Sequence, residues 1–201
     1  MGAPEFLLLS ATEPDRSGLV AELTGFIAEC GCNVEDSRIV VLGGYAGIMV
    51  LISGEPAELH TVLEGLERLR ARSGIRALAN RVAARRATAG APAPRVLVQA
   101  TAVDHEGIIH ALAEAVRRHG GNILELESAT EPAPMSGEPL LRLRMSVWSP
   151  GDPGSGERLR QELESVARQE GVDLEIQPAP PAPGEPVPGG PERRAVPRPE
   201  T

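Results

Sequence analysis

The stretch SATEPDRSGLVAELTGFIAECGCN at 10–33 returns at 99–122 as QATAVDHEGIIHALAEAVRRHGGN, and the two align without a gap. Ala11/Ala100, Thr12/Thr101, Asp15/Asp104, Gly18/Gly107, Leu23/Leu112, Gly31/Gly120 and Asn33/Asn122 are identical pairs. A chain that carries one unit twice must fold it twice, so any architecture read from one copy has to suit the other.

Each copy gives the same order of elements. EFLLLSAT and RVLVQAT are short apolar strands. Leu19, Val20, Leu23, Phe26, Ile27 and Cys30 then recur at helical spacing, as do Ile108, Ile109, Leu112 and Val116. Both helices begin just after an Asp-x-x-Gly loop, and Gly31 and Gly120 stand where a left-handed residue ends a helix. NVEDSRIVVLG and YAGIMVLISG, joined at Gly43-Gly44, read as a hairpin; NILELESAT and LLRLRMSVW alternate with period two around the longer connection EPAPMSGEP. These strands are expected to be half-buried with one wet face. A second helix follows in each copy, striped by Leu59, Val62, Leu63, Leu66 and Leu69 or by Leu159, Leu163 and Val166, and IRALANRVA or VDLEIQ closes the unit as a fourth strand.

The order βαββαβ, twice, predicts an α+β fold of two ferredoxin-like units, each an antiparallel four-stranded sheet with both helices on one face. The expected division is 1–86 for the first unit, 87–94 (ATAGAPAP) for a linker, 95–177 for the second unit, and 178–201 for a Pro-rich tail that cannot bury a core and is expected to be disordered.

Composition narrows the function. Among 201 residues, 41% are hydrophobic but only Phe6, Phe26, Tyr45 and Trp148 are aromatic, so the cores must be aliphatic. A net charge of −8 and the complete lack of Lys argue against nucleic-acid binding, which rests on clustered cations. The one basic concentration is Arg81, Arg85 and Arg86. No apolar run is long enough to span a bilayer and the N-terminus shows no secretory signal pattern, so a cytoplasmic location with reduced thiols is expected.

The pattern DRSGLVAELTGFIAECGCNVEDSRI, an Asp-Arg-x-Gly loop, an amphipathic helix, a Gly-x-Asn turn and a strand, resembles the ACT domain, a small-molecule-sensing regulatory module. Two such units in sequence, with CGCNVEDSRIVVLGG in the first, resemble the glycine cleavage system transcriptional repressor family. The resemblance covers about residues 5 to 177 and is strongest at 12 to 54. It implies a small amino-acid effector, glycine or another, held at an interface between modules by the loop after the first strand and the start of the first helix. It also implies antagonism of a transcription factor or other protein partner without direct DNA contact, and a homodimer.

On that resemblance the ligand-binding positions are Asp15, Arg16, Ser17 and Gly18, with Asn33 expected near the same end of the sheet. Free helix N–H groups can receive a carboxylate, glycine allows close approach, and an amide both donates and accepts. The bland alternative makes Asp15 a helix cap and Asn33 a turn residue. The second copy offers Asp104, His105, Gly107 and Asn122, with His105-Glu106 in place of Arg16-Ser17, so its ligand need not be the same.

Catalysis finds little support. Cys30 and Cys32 lack the second ligand pair that a zinc site needs, and Cys30 lies on the apolar helix face, so no metal is expected. Cys32, in a turn, is the more exposed prospect. His60, His105, His110 and His119 stand in no metal-ligand spacing, and no G-x-S-x-G is present. No enzyme and no cofactor are expected. A ligand-responsive regulator and a ligand-independent interaction module that pairs through sheet edges or helices both remain open.

Overall fold

A computed structural model describes residues 5–82, 95–150 and 154–179, in two compact units divided at Thr88 and Ala89. The expected linker 87–94 lies outside the described residues, as does the expected tail apart from Pro178 and Ala179.

The first unit runs β1 (Glu5–Pro14), α1 (Leu19–Glu29), β2 (Asn33–Leu42), β3 (Tyr45–Gly54), α2 (Pro56–Ser73) and β4 (Ala77–Val82). The second repeats it as β5 (Arg95–Val103), α3 (Ile108–Arg118), β6 (Asn122–Pro132), β7 (Pro139–Trp148), α4 (Ser155–Gln169) and β8 (Asp173–Pro178). All pairings are antiparallel, in the orders β2-β3-β1-β4 and β6-β7-β5-β8. This is the ferredoxin-like arrangement expected from the element order, with both helices on one face of each sheet.

Glycine sets the chain's corners where the repeat places it. Gly18 and Gly107 precede α1 and α3 with φ of 88° and 101°, and Gly31 and Gly120 follow those helices with φ of 82° and 66°. Only glycine takes these left-handed angles without a Cβ penalty.

The cores are aliphatic, as the shortage of aromatics requires. In the first, Leu7, Leu9, Ile48 and Ile52 of the central strands meet Leu23, Phe26 and Leu59 of the helices, all buried. The helices approach closely at one point: a Cβ placed on Gly65 of α2 would lie 2.9 Å from the Phe26 ring. In the repeat alignment Phe26 corresponds to Ala115, which is also fully buried.

The outer strands depart from expectation. All ten residues of β2 are exposed, and β6 is exposed along nearly its whole length. Strands β2 and β6 lie at the ends of their sheets, outside the central pairs, and their period-two alternation does not become a buried and a wet face. Both edge strands also carry a β-bulge at the same repeat position, Glu35 in β2 and Leu124 in β6 standing as the extra residue.

Because the Phe26 ring is fully enclosed and cannot swing away, Gly65→Ala is expected to lower stability by about 1–3 kcal/mol through overpacking, although alanine is the better helix former. A reduced urea midpoint for Gly65→Ala, partly restored by adding Phe26→Leu, would show this.

Candidate effector site

The Asp-x-x-Gly loop closes β1 onto the tip of the β2–β3 hairpin, since the Asp15 N–H donates to the Gly44 carbonyl at 2.9 Å. In the second unit the Asp104 N–H donates to the Pro139 carbonyl at 2.8 Å. Neither aspartate caps its helix: the N-caps are Gly18 and Gly107, and neither helix has a side-chain cap. The first-turn amides of α1 and α3 therefore receive no side-chain oxygen from the cap position.

Arg16 is committed within the fold. Its guanidinium grips both carboxylate oxygens of Glu22, one at 2.8 Å, and donates to the Ser73 carbonyl at the end of α2 at 2.8 Å. The hydrogen bond from Arg16 holds the Glu22 carboxyl below its usual range. Glu22 is the acid of the first turn of α1, and its carboxylate oxygen would lie 3.6 Å from a Cβ on Gly18, so the Arg16–Glu22 pair sits at the N-terminus of the helix.

His105 occupies the same place by a different chemistry. Its Nε2 lies 3.1 Å from the Glu170 carbonyl at the end of α4, and its Nδ1 lies 3.1 Å from the Glu106 carbonyl. Two carbonyl acceptors suit an imidazolium that donates from both nitrogens. Those bonds, to Glu170 first and then Glu106, raise the His105 pKa, with further help from the Glu170 and Asp104 charges. Thus a cation in each loop ties the start of one helix to the carbonyl end of the other. In the first unit that cation is permanent, and in the second it titrates.

Asn33 does not lie where expected. It pairs with Ser53, which pairs with Phe6 near the start of β1, whereas Asp15 follows the end of that strand. At ~3.3 Å per residue the two stand about 30 Å apart. Asn122, through Trp148 and Arg95, is likewise at the far end from Asp104. Helix α1 carries the chain back across the sheet before β2 begins, so the loop and the asparagine of one unit cannot touch one small molecule.

Around Asn33 the bulge builds its own cluster. The Asn33 amide donates to Glu35 Oε1 at 3.0 Å and the Ser53 hydroxyl donates to the same oxygen. These bonds, Ser53 first, keep the Glu35 carboxyl below its usual range. Periodicity could not announce this cluster, because a bulge breaks the period. The second unit has Leu124 and Trp148 in these places. Its loop differs too: Asp104 accepts a hydrogen bond from the Thr130 hydroxyl at 3.0 Å.

Both cysteines are buried and free, Cys32 included. Burial, with the nearby Cys30 and Glu58, pushes the Cys32 thiol up to about 11, which leaves little thiolate near neutrality. Among the described residues, no group of three or more His, Cys, Asp or Glu side chains could hold a metal ion. No helix among them is long and apolar enough to cross a membrane.

Residues 5–78 match the ACT domain family model, and the second unit repeats the first in strand order, loop and bulge. The chain resembles a tandem ACT-domain protein, with the family model matching its first unit and the second unit sharing that topology. It resembles the glycine cleavage system transcriptional repressors of Escherichia coli (strain K12) and Shigella flexneri, each 29% identical over 151 residues that span 75% of this chain and 78% of the relative. A solved protein of unknown function from Galdieria sulphuraria has a TM-score of 0.70 at 25% identity, covering 88% of this chain and 99% of that one. The structure of a candidate glycine cleavage system transcriptional repressor has a TM-score of 0.66 at 21% identity, covering 88% and 98%, and shares the fold of these ACT units.

The sign of the His105 contribution follows from its raised pKa. Stabilisation is fully present below the unfolded value of about 6.5 and is lost as pH rises through the folded value. The second unit is therefore expected to unfold at lower urea at pH 8 than at pH 6. His105→Arg should remove that part of the dependence, as read by urea titration of both proteins across the range.

Proposed function

We propose that this protein is an amino-acid-responsive regulator of the glycine cleavage system repressor type, working in the cytoplasm by contact with a partner protein rather than with DNA. The observation that carries the proposal is the loop of the first ACT unit. There the α1 amides are uncapped, Arg16 is paired with Glu22, and Asp15 lies in the loop just before the helix. A small amino acid such as glycine suits this combination, with its carboxylate on the first-turn amides and its ammonium on Asp15. Ser17 adds a hydroxyl, and Gly18 has no Cβ to obstruct approach.

In this reading Arg16 and His105 shape the loops and do not grip the ligand. Asp104 and Gly107 offer the second unit a similar loop, weakened because Asp104 is already engaged by Thr130. Asn33 and Asn122 lie too far from the loops of their own units, so they serve ligands held by another ACT module. That is consistent with effectors bound at interfaces between modules, and with folded units close to 1–86 and 95–177. The family model for the first unit and the similarity to the glycine cleavage system repressors support a regulatory role. The net charge of −8 favours a protein partner over nucleic acid.

A second reading has its own observation. Strand β2 is an unpaired edge that exposes Ile39, Val40, Val41 and Leu42 in succession, a strip suited to adding another strand. A ligand-independent pairing module would use this edge without any amino acid.

Thermal unfolding of the full chain against single amino acids separates the two. A ligand at a hundredfold excess over its Kd should stabilise the native state by about 2.7 kcal/mol. A selective shift that disappears in Asp15→Ala and weakens in Asn33→Ala supports the regulator. A folded protein that shows no shift with any amino acid supports the pairing module.

A further inference from the structure

The two sheets share a topology but not a surface. Buried Leu7, Leu9, Ile48 and Val50 mark the helix side of the first sheet, so their alternate neighbours lie on its open side. By register, Val40 and Leu42 of β2, Tyr45 and Met49 of β3, Leu8 of β1 and Leu78 of β4 share this open face. Leu78 is 71% exposed, Leu42 69% and Met49 49%. Consistently, a Cβ on Gly47 of the same face would lie 3.4 Å from the Val40 side chain. Asp36 and Arg38 of β2 pair with each other here at 2.8 Å, and the Glu35 carboxylate, held by Asn33 and Ser53, adds one negative charge at the end of the face.

The equivalent face of the second sheet is charged. Glu125, Glu127 and Glu131 of β6 oppose Ser146, Arg144 and Leu140 of β7, with Arg142 between the last two and Glu175 on β8. Arg142 reaches Glu131 at 3.4 Å. A duplicated sheet that wets one copy and leaves the other apolar has a different use for each.

We propose that the open face of the first sheet packs against the same face of a second copy of this chain. A face of four strands at ~4.8 Å spacing and up to ten residues at ~3.3 Å covers about 600 Å². Two such faces bury about 1,200 Å² in total, the lower limit of a standard specific interface. A single exposed apolar patch of that size is at the upper end for a monomer. The face holds almost no net charge with which to select a basic or an acidic partner. An apolar surface that is its own complement under a two-fold axis satisfies the requirement of an isologous dimer. Sheets stacked in this way lie ~10 Å apart with their strands nearly aligned. The proposal does not depend on amino-acid binding, and it leaves the β2 edge free.

Sedimentation equilibrium of the full chain over a concentration series tests it. The wild type should dimerise, and Met49→Glu and Leu78→Glu should each weaken dimerisation at least tenfold, as a charge buried in an apolar interface costs more than 1.4 kcal/mol, the equivalent of a factor of ten. Both positions are already exposed, and circular dichroism checks that each variant remains folded. Arg144→Glu on the second sheet and Val41→Glu, which points to the helix side of the β2 edge, should leave the dimer unchanged. A wild type that is monomeric throughout the series overturns the proposal. So does a dimer that Val41→Glu disrupts while Met49→Glu and Leu78→Glu do not, because that dimer forms through the edge.

Discussion

A helix that follows a strand and packs over the same sheet must return the chain to the end where that strand began. In each unit this constraint decides where everything else can stand. It puts the Asp-x-x-Gly loop at one end of β1 and Asn33 at the other, joined through the ladder Asn33, Ser53, Phe6. It also aims the closing end of the second helix at the loop, where Arg16 meets the Ser73 carbonyl and His105 meets that of Glu170. The loop and the asparagine of one unit therefore stand at opposite ends of its sheet.

The element order and the helix-ending glycines could be read from the sequence because they depend on local rules. Gly31 and Gly120 take positive φ where the repeat aligned them. The apolar stripe of α1 buries Leu19, Leu23, Phe26 and Ile27. What the sequence could not show depends on register and on reach across space. The bulge at Glu35 shifts the pairing between Val34 and Asp36, which no period of two can anticipate. Placing Asn33 beside Asp15 treated nearness in the motif as nearness in the sheet. The union of Arg16 with Ser73 spans most of the unit, and an arginine in a loop looks equally ready to bind a ligand or a carbonyl.

The copies have diverged in the parts that face outward or carry charge, while their ladders remain matched. Arg16 became or came from a histidine, Glu22 stands opposite Ala111, and Glu35 opposite Leu124. The second unit therefore lacks the carboxylates that organise both ends of the first. One scaffold, written twice, presents two surfaces with different chemical preferences.

The contact between Phe26 and Gly65 bears on the history of the duplication. Counted back from the closing glycines Gly74 and Gly171, the place of Gly65 in α2 falls to Glu162 in α4. A recombinant that joined the first helix of one copy to the second helix of the other would set a phenylalanine ring against a glutamate, or an alanine against a bare glycine backbone. The first hybrid is crowded and the second hollow. Each half is a matched pair of helices, so a segment exchanged between the copies would carry a packing cost.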